Sequence, residues 1–365
     1  MNRPSLLRKA LLIGCILAAN CAYGAPAITN VSGAVSQGGT ITIVGNGFGA
    51  NPSPAPIYYS NFESYPVGTP AVDTGLSDLN GNLGSLEPYV DDTHSVSGTK
   101  ALRVNYPLNH NGAFPEVGLG KLNLTEVYVS AWIYWEHTAG SGGGVLPIFK
   151  LVRAEANPVY HGYPGFYDTI RPNEDGAIVA TDQGAISATR VVTYADARNA
   201  EPTAGAWHKI SYYFQLSTPG VANGVFESWV DGVRNADITN DMLLPAGSTA
   251  AINNVISPID GMSNYGYSNS YSLWVDDFYV AATQARVELG DASTLPACKV
   301  RYVQPASSWS DGSISATVET NTFPPGTTAY LYVFDADGNV NSQGYPVTIV
   351  ASSIPNPPIE DGVQP

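Results

Sequence analysis

Tyr128-Val129-Ser130-Ala131-Trp132-Ile133-Tyr134-Trp135 is the stretch on which the reading of the fold turns. Side chains of a β-strand point alternately to its two faces. Val129, Ala131, Ile133 and Trp135 therefore share one face, and Tyr128, Ser130, Trp132 and Tyr134 share the other. Aromatic rings on both faces point to an inner strand of a sandwich, with one face toward a core and the other toward a concave surface.

Short strand-like runs of the same kind recur at 40–44, 101–104, 207–216, 225–230, 271–280, 329–334 and 345–350, with Gly, Pro, Asn or Asp between them. Asp231-Gly232 directly after a strand is a hairpin signal, and 335–339 closes a second hairpin. The 37 glycines and 27 prolines of the 365-residue chain interrupt any long helix. Charged residues are 13% of the chain, well under the roughly 25% of an average domain, while 44% hydrophobic residues supply a sizeable core. Coiled coils, helix bundles and wholesale disorder are excluded on these grounds. Past the N-terminus no run of 18 apolar residues occurs, so no membrane-spanning helix is expected. The expectation is an all-β protein of about two domains.

Residues 1–24 read as a secretory signal: Arg3, Arg8 and Lys9, an apolar stretch from Ala10 to Ala19, then Ala22-Tyr23-Gly24 before a cleavage site at Ala25. The apolar stretch is too short for an anchor. Leu12-Ile13-Gly14-Cys15 resembles a lipobox, but almost nothing apolar precedes it. The expected location is extracellular or periplasmic. Cleavage removes Cys15 and Cys21 and leaves Cys298 without a disulfide partner, as a buried inert thiol near a strand start. It also removes three of 16 cations and no acid, moving the net charge from −15 to −18. A field of that sign disfavours nucleic acid and anionic lipid, and suits solubility and calcium binding.

Two family resemblances follow from longer motifs. Ile28-Thr29-Asn30-Val31-Ser32-Gly33, with Gly38-Gly39-Thr40-Ile41-Thr42-Ile43-Val44-Gly45-Asn46-Gly47-Phe48-Gly49, resembles the start of an IPT/TIG immunoglobulin-like domain. The resemblance stops near Pro56, and its missing half resembles Trp309–Val318 and Gly326–Val333. Residues 25–56 and 296–352 are thus expected to form one Ig-like domain split by an insertion, two separate small domains being the rival reading. The insert, 57–295, resembles a concanavalin A-like jelly roll of the laminin-G and polysaccharide-lyase type. The resemblance rests on Asn61-Phe62-Glu63-Ser64-Tyr65, Ser97–Val104, Trp207-His208-Lys209-Ile210 with Trp229-Val230-Asp231-Gly232, and Leu273–Val280. That fold hosts lectins, hydrolases, lyases and inert spacers, so it does not decide activity. The tail 353–365 is proline-rich and expected to be extended or disordered.

Chemistry concentrates in 149–171. Lys150, Arg153, Tyr160, His161, Tyr163, Tyr167 and Arg171 bring cations, a histidine and tyrosines into an otherwise acidic chain. Tyrosine rings stack on sugars, and arginine grips a carboxylate at two points. A glycan surface made of Lys150, Arg153, Tyr160, Arg171, Trp132, Tyr134 and Tyr267 is the leading expectation. A uronate lyase is the alternative. There a cation would neutralise the substrate carboxylate, with His161 and Tyr163 or Tyr167 as base and acid. The motif strands of familiar jelly-roll alginate lyases are absent, as is the Glu-x-Asp-x-x-Glu string of laminarinase-like hydrolases. A structural or adhesin module without a glycan site is the third reading. By resemblance to concanavalin A-like folds, Glu63 with Asp276 or Asp277 would hold a calcium ion. Phosphate-loop, dinucleotide, Cys-x-x-Cys and His-Glu-x-x-His motifs are missing, and His94, His110, His137 and His208 read as loop or surface residues.

Overall fold

The computed structural model describes residues 24–79, 81, 83, 86–106, 117–138, 149–156, 165–170, 178–182, 202–242, 244, 246–249, 251–257 and 270–352. Residues 1–23 of the expected signal segment 1–24, and the tail 353–365, lie outside these residues. The protein is all-β, and its described strands form four antiparallel sheets that pair off into two sandwiches.

The larger sandwich is built on an eight-stranded sheet. Its order is Val233–Asp241, Gly224–Val230, His208–Gln215, Glu126–Thr138, Ser270–Ala281, Ala101–Tyr106 and Tyr89–Asp91, with Tyr58–Ser60 also pairing along Ser270–Ala281. The facing sheet runs Ile178–Asp182, Gly165–Ile170, Phe149–Ala156, Ile252–Ile256, Val117–Leu119, Ser77–Asp78. The alternation in 128–135 explains the layering. Val129, Ala131, Ile133 and Trp135 enter the core between the sheets and meet Val117, Ile252 and Val255 from the other side. Asp231 (φ 50°) and Gly232 (φ 80°) make the tight turn joining Gly224–Val230 to Val233–Asp241, a geometry that asparagine, aspartate and glycine tolerate best.

The smaller sandwich joins the two ends of the described chain. One sheet runs Ala27–Ser32, Thr40–Asn46, Ser313–Thr317, Ala306–Ser310; the other runs Arg301–Gln304, Arg286–Gly290, Thr328–Phe334, Tyr345–Thr348. Ile41 and Ile43 pack with Ile314, Val287, Leu289, Leu331 and Val333 in a second, separate core. The strand Arg286–Gly290 falls within the expected 57–295 insert by position but pairs with Arg301–Gln304 and Thr328–Phe334 of the smaller sandwich. Val287 and Leu289 enter the small core, while the charged Arg286 and Glu288 turn toward the larger sandwich.

The two bodies meet over half of the outer face of the eight-stranded sheet, the face turned away from its own core. Tyr128, Tyr213 and Tyr279 pack there with Val303 of the smaller sandwich. At their centre Glu288, 1% exposed, lies within ion-pair distance of Lys209 (3.5 Å), Arg286 (2.8 Å) and Arg301 (3.0 Å). Burial would raise the Glu288 carboxyl pKa, but the three cations outweigh it and hold the group below its ordinary range. Burial draws Lys209 down to about 8, with Glu288 opposing.

Candidate binding surface

The other half of that outer face is left open. Register places Tyr134 opposite Trp274, Trp274 opposite Arg103 and Arg103 opposite Tyr89, a row across four neighbouring strands. The next row holds Glu136, Ser272 and Asn105. Directly opposed residues share a face, so a continuous polar and aromatic strip results.

His94 comes to this strip from the loop before Ala101–Tyr106. Its ring stacks on Tyr134 at 4.5 Å and 25° and meets Trp274 edge-on at 4.5 Å. Trp207 lies 5.5 Å from Tyr134 on the far side. The Tyr134 hydroxyl donates to Glu136 Oε1 at 2.8 Å, and His94 Nε2 stands 3.3 Å from the same oxygen. Desolvation, aided by the Glu136 carboxylate, raises the Tyr134 pKa. Trp274 is anchored from beneath: its indole N–H donates to Asp91 Oδ1 at 2.9 Å, and the Arg103 guanidinium lies 4.6 Å from its ring centre. Arg103 also pairs with Asp91 at 3.1 Å. Burial pushes the Asp91 pKa up, but hydrogen bonds from Thr93, Trp274 and Arg103 prevail and hold it below the usual range. The buried layer is thus fixed, while His94, Tyr134 and Trp207 remain half-buried and Glu136 exposed. Stacked rings flanked by carboxylate, imidazole and amide groups can meet both the apolar faces and the hydroxyls of a sugar.

Of the residues expected from sequence, Tyr134 belongs to this surface. Trp132 does not: it is 5% exposed and packs 5.9 Å from Tyr302 of the smaller sandwich. Alternation placed it on the right face, but that half of the face is covered. Tyr160, His161, Tyr163, Arg171 and Tyr267 lie outside the described residues. Lys150, Arg153 and Tyr167 fall on strands of the six-stranded sheet, where backbone register sets Tyr167 opposite Arg153 and Thr169 opposite Lys150. The sequence marks His94 as a loop or surface residue, and its ring partners Tyr134 and Trp274 come from distant strands that no local motif announces.

The residues expected to bind calcium converge on the loop 96–100. Glu63 accepts the N–H groups of Thr99 (2.7 Å) and Lys100 (2.6 Å). Asp276 accepts those of Val96 and Ser97, both at 3.0 Å. Asp277 accepts the Tyr59 hydroxyl and the Asn321 amide, each at 3.1 Å. Burial raises both aspartate pKa values, that of Asp277 to about 7. Among the described residues no group of three or more His, Cys, Asp or Glu is placed to hold a metal ion. These carboxylates anchor the loop 96–100 through hydrogen bonds. Cys298 follows the 3-10 turn Leu295–Ala297 and is half-buried, its Sγ 3.7 Å from the Tyr332 hydroxyl. No helix among the described residues is long and apolar enough to cross a membrane.

No family model matches the chain, and no curated protein is similar to it. Solved structures similar to it include endo-β-1,4-glucuronan lyase of the fungus Trichoderma reesei, 14% identical, over 62% of this chain and 96% of that one, TM-score 0.44. The alginate lyase Aly36B is 13% identical over 61% and 95%, TM-score 0.43. The alginate lyase of Aplysia kurodai is 16% identical over 53% and 86%, TM-score 0.37.

Proposed function

We propose that this is an exported polysaccharide-binding protein whose sugar platform is formed by His94, Tyr134 and Trp207 with Arg103 and Tyr89, laid over the buried Trp274. The observation that carries this reading is the stack of half-buried rings on the uncovered half of an otherwise occluded sheet face. An apolar ring bordered by fixed hydrogen-bonding groups is the chemistry of carbohydrate recognition. The smaller sandwich acts as the host: an Ig-like domain into which the larger one is inserted. The pairing of Thr40–Asn46 with Ser313–Thr317 supports that nesting.

Retardation of the protein lacking residues 1–24 in gels containing acidic or neutral polysaccharides tests the proposal. Retardation that Trp207→Ala abolishes, with the fold retained, is the expected outcome. Migration of wild type and variant alike on every polymer would refute it.

The second reading, a uronate lyase, draws on the backbone register that sets Tyr167 opposite Arg153. It predicts a rise in ultraviolet absorbance from unsaturated products, lost in Tyr167→Phe. Binding without that rise favours recognition alone.

A further inference from the structure

Where the smaller sandwich leans on the larger, a cavity of about 220 Å3 opens between them. Arg234, Arg286 and Arg301 line it, together with Trp229, Ser211 and Leu295. Three guanidiniums around one small space stand out in a chain of net charge −15. The acids beside it are Glu288, held by Arg286 and Arg301, and Glu227 and Asp237, both held by Arg234.

Around Glu288 itself the cations outnumber the ion-paired acids, although Asp277 also stands within electrostatic reach of Lys209. Lys209, Arg286 and Arg301 bring three positive charges to the single carboxylate of Glu288. Buried charge of one sign is costly unless a counter-charge meets it. Arg286 is held rigidly, its guanidinium carbon 4.1 Å from the Tyr128 ring centre and 3.7 Å from that of Phe334. It donates through Nε to Glu288 and through Nη1 to the Gln284 carbonyl. Arg301 pairs through Nε with Glu288 and donates through Nη1 to Leu295. The Nη2 group of each has no hydrogen bond to a described residue. Mutual repulsion has a visible trace, since Arg301 and Arg286 add to the burial that lowers the pKa of Lys209.

We propose that this cavity is a carboxylate subsite that takes a single uronic acid residue, its carboxylate on Arg286 and Arg301 and its ring beside Trp229. The volume is below the ~300–1,000 Å3 of sites for drug-sized ligands and suits one pyranose ring. Planar guanidinium donors match the two oxygens of a carboxylate. This inference rests on the glycan reading above and narrows it to acidic polymers, with the junction gripping a charged unit apart from the aromatic strip.

Titration calorimetry of the full chain with sodium glucuronate, sodium galacturonate, glucose and sodium acetate tests it. One equivalent of uronate should bind, with glucose and acetate at least tenfold weaker. Leu295→Trp fills the cavity without touching the ion pairs and should weaken uronate binding at least tenfold, while Trp207→Ala, on the strip, should leave it unchanged. The Trp229 indole N–H resonance, assigned by its loss in Trp229→Phe, should shift on uronate addition. Absence of uronate binding, equal binding of glucose or acetate, or full binding by Leu295→Trp each overturns the subsite. None of these results bears on gel retardation through Trp207, so the two proposals fail separately.

Discussion

Lys209 of the larger sandwich and Glu288 of the smaller meet across their junction at 3.5 Å, with side chains 5% and 1% exposed. Most ion pairs sit at a surface and contribute about 0–1 kcal/mol. This one is sealed, so its role is better judged by what happens when one partner is lost.

Glu288→Gln would strand Lys209, Arg286 and Arg301 without their shared carboxylate. The expected loss is about 3–5 kcal/mol, the range for breaking a buried pair from one side. Urea unfolding followed by tryptophan fluorescence measures it. Lys209→Met should cost clearly less, because Arg286 and Arg301 still satisfy Glu288.

The aspartates under the junction predict a pH dependence. Burial raises Asp277 to about 7 and lifts Asp276 well above its usual range. An unfolded aspartate titrates at about 3.9. Between about pH 4 and 7 these two aspartates hold more protons in the native chain than in the unfolded one, so their contribution to the unfolding free energy falls as pH rises. Asp277→Asn should flatten part of that decline and leave the variant more stable than wild type at pH 8. Melting temperatures of wild type and Asp277→Asn in one pH series decide this, and a difference between the two that stays constant through the window would contradict it.

At the strip, Tyr134→Phe deletes the hydrogen bond to Glu136 but keeps the ring stacked on His94. Tyr134→Ala removes both. A several-fold loss of polysaccharide affinity is expected for the first and roughly tenfold or more for the second, equivalent to about 1.4 kcal/mol. Affinity electrophoresis ranks the two.

Gly45 probes the smaller sandwich. A Cβ built there would stand 2.0 Å from the Ala27 carbonyl oxygen and 2.5 Å from the Phe48 ring. Gly45→Ala must push the first two strands apart, at a cost of about 1–3 kcal/mol. An unchanged urea midpoint would mean that these strands carry little of the stability.

Local pattern made much of the β architecture legible. Alternation in 128–135 sorted core residues from outer ones, and Asp231-Gly232 marked its hairpin. What one strand cannot say is what covers its outer face. Trp132 and Tyr134 are indistinguishable in sequence, yet Tyr302 buries the first and leaves the second open. Arg286 and Glu288 likewise look like solvent-facing residues, and the burial that makes them structural comes from another body. The strip escaped notice because His94, Tyr134, Trp207 and Trp274 are neighbours only after four separate segments have folded together.

The chain order of the smaller sandwich has a consequence for how the polypeptide is made. Gln37 accepts from the backbone of Thr320, 283 positions further on. A ribosome releases the first two strands long before their partners exist. The larger sandwich can close in the interval, its ends drawn together by the pairing of Tyr58–Ser60 with Ser270–Ala281. Until the last segment emerges, Ile41 and Ile43 have no core to enter, so chaperones and proteases meet the nascent chain first at this exposed edge.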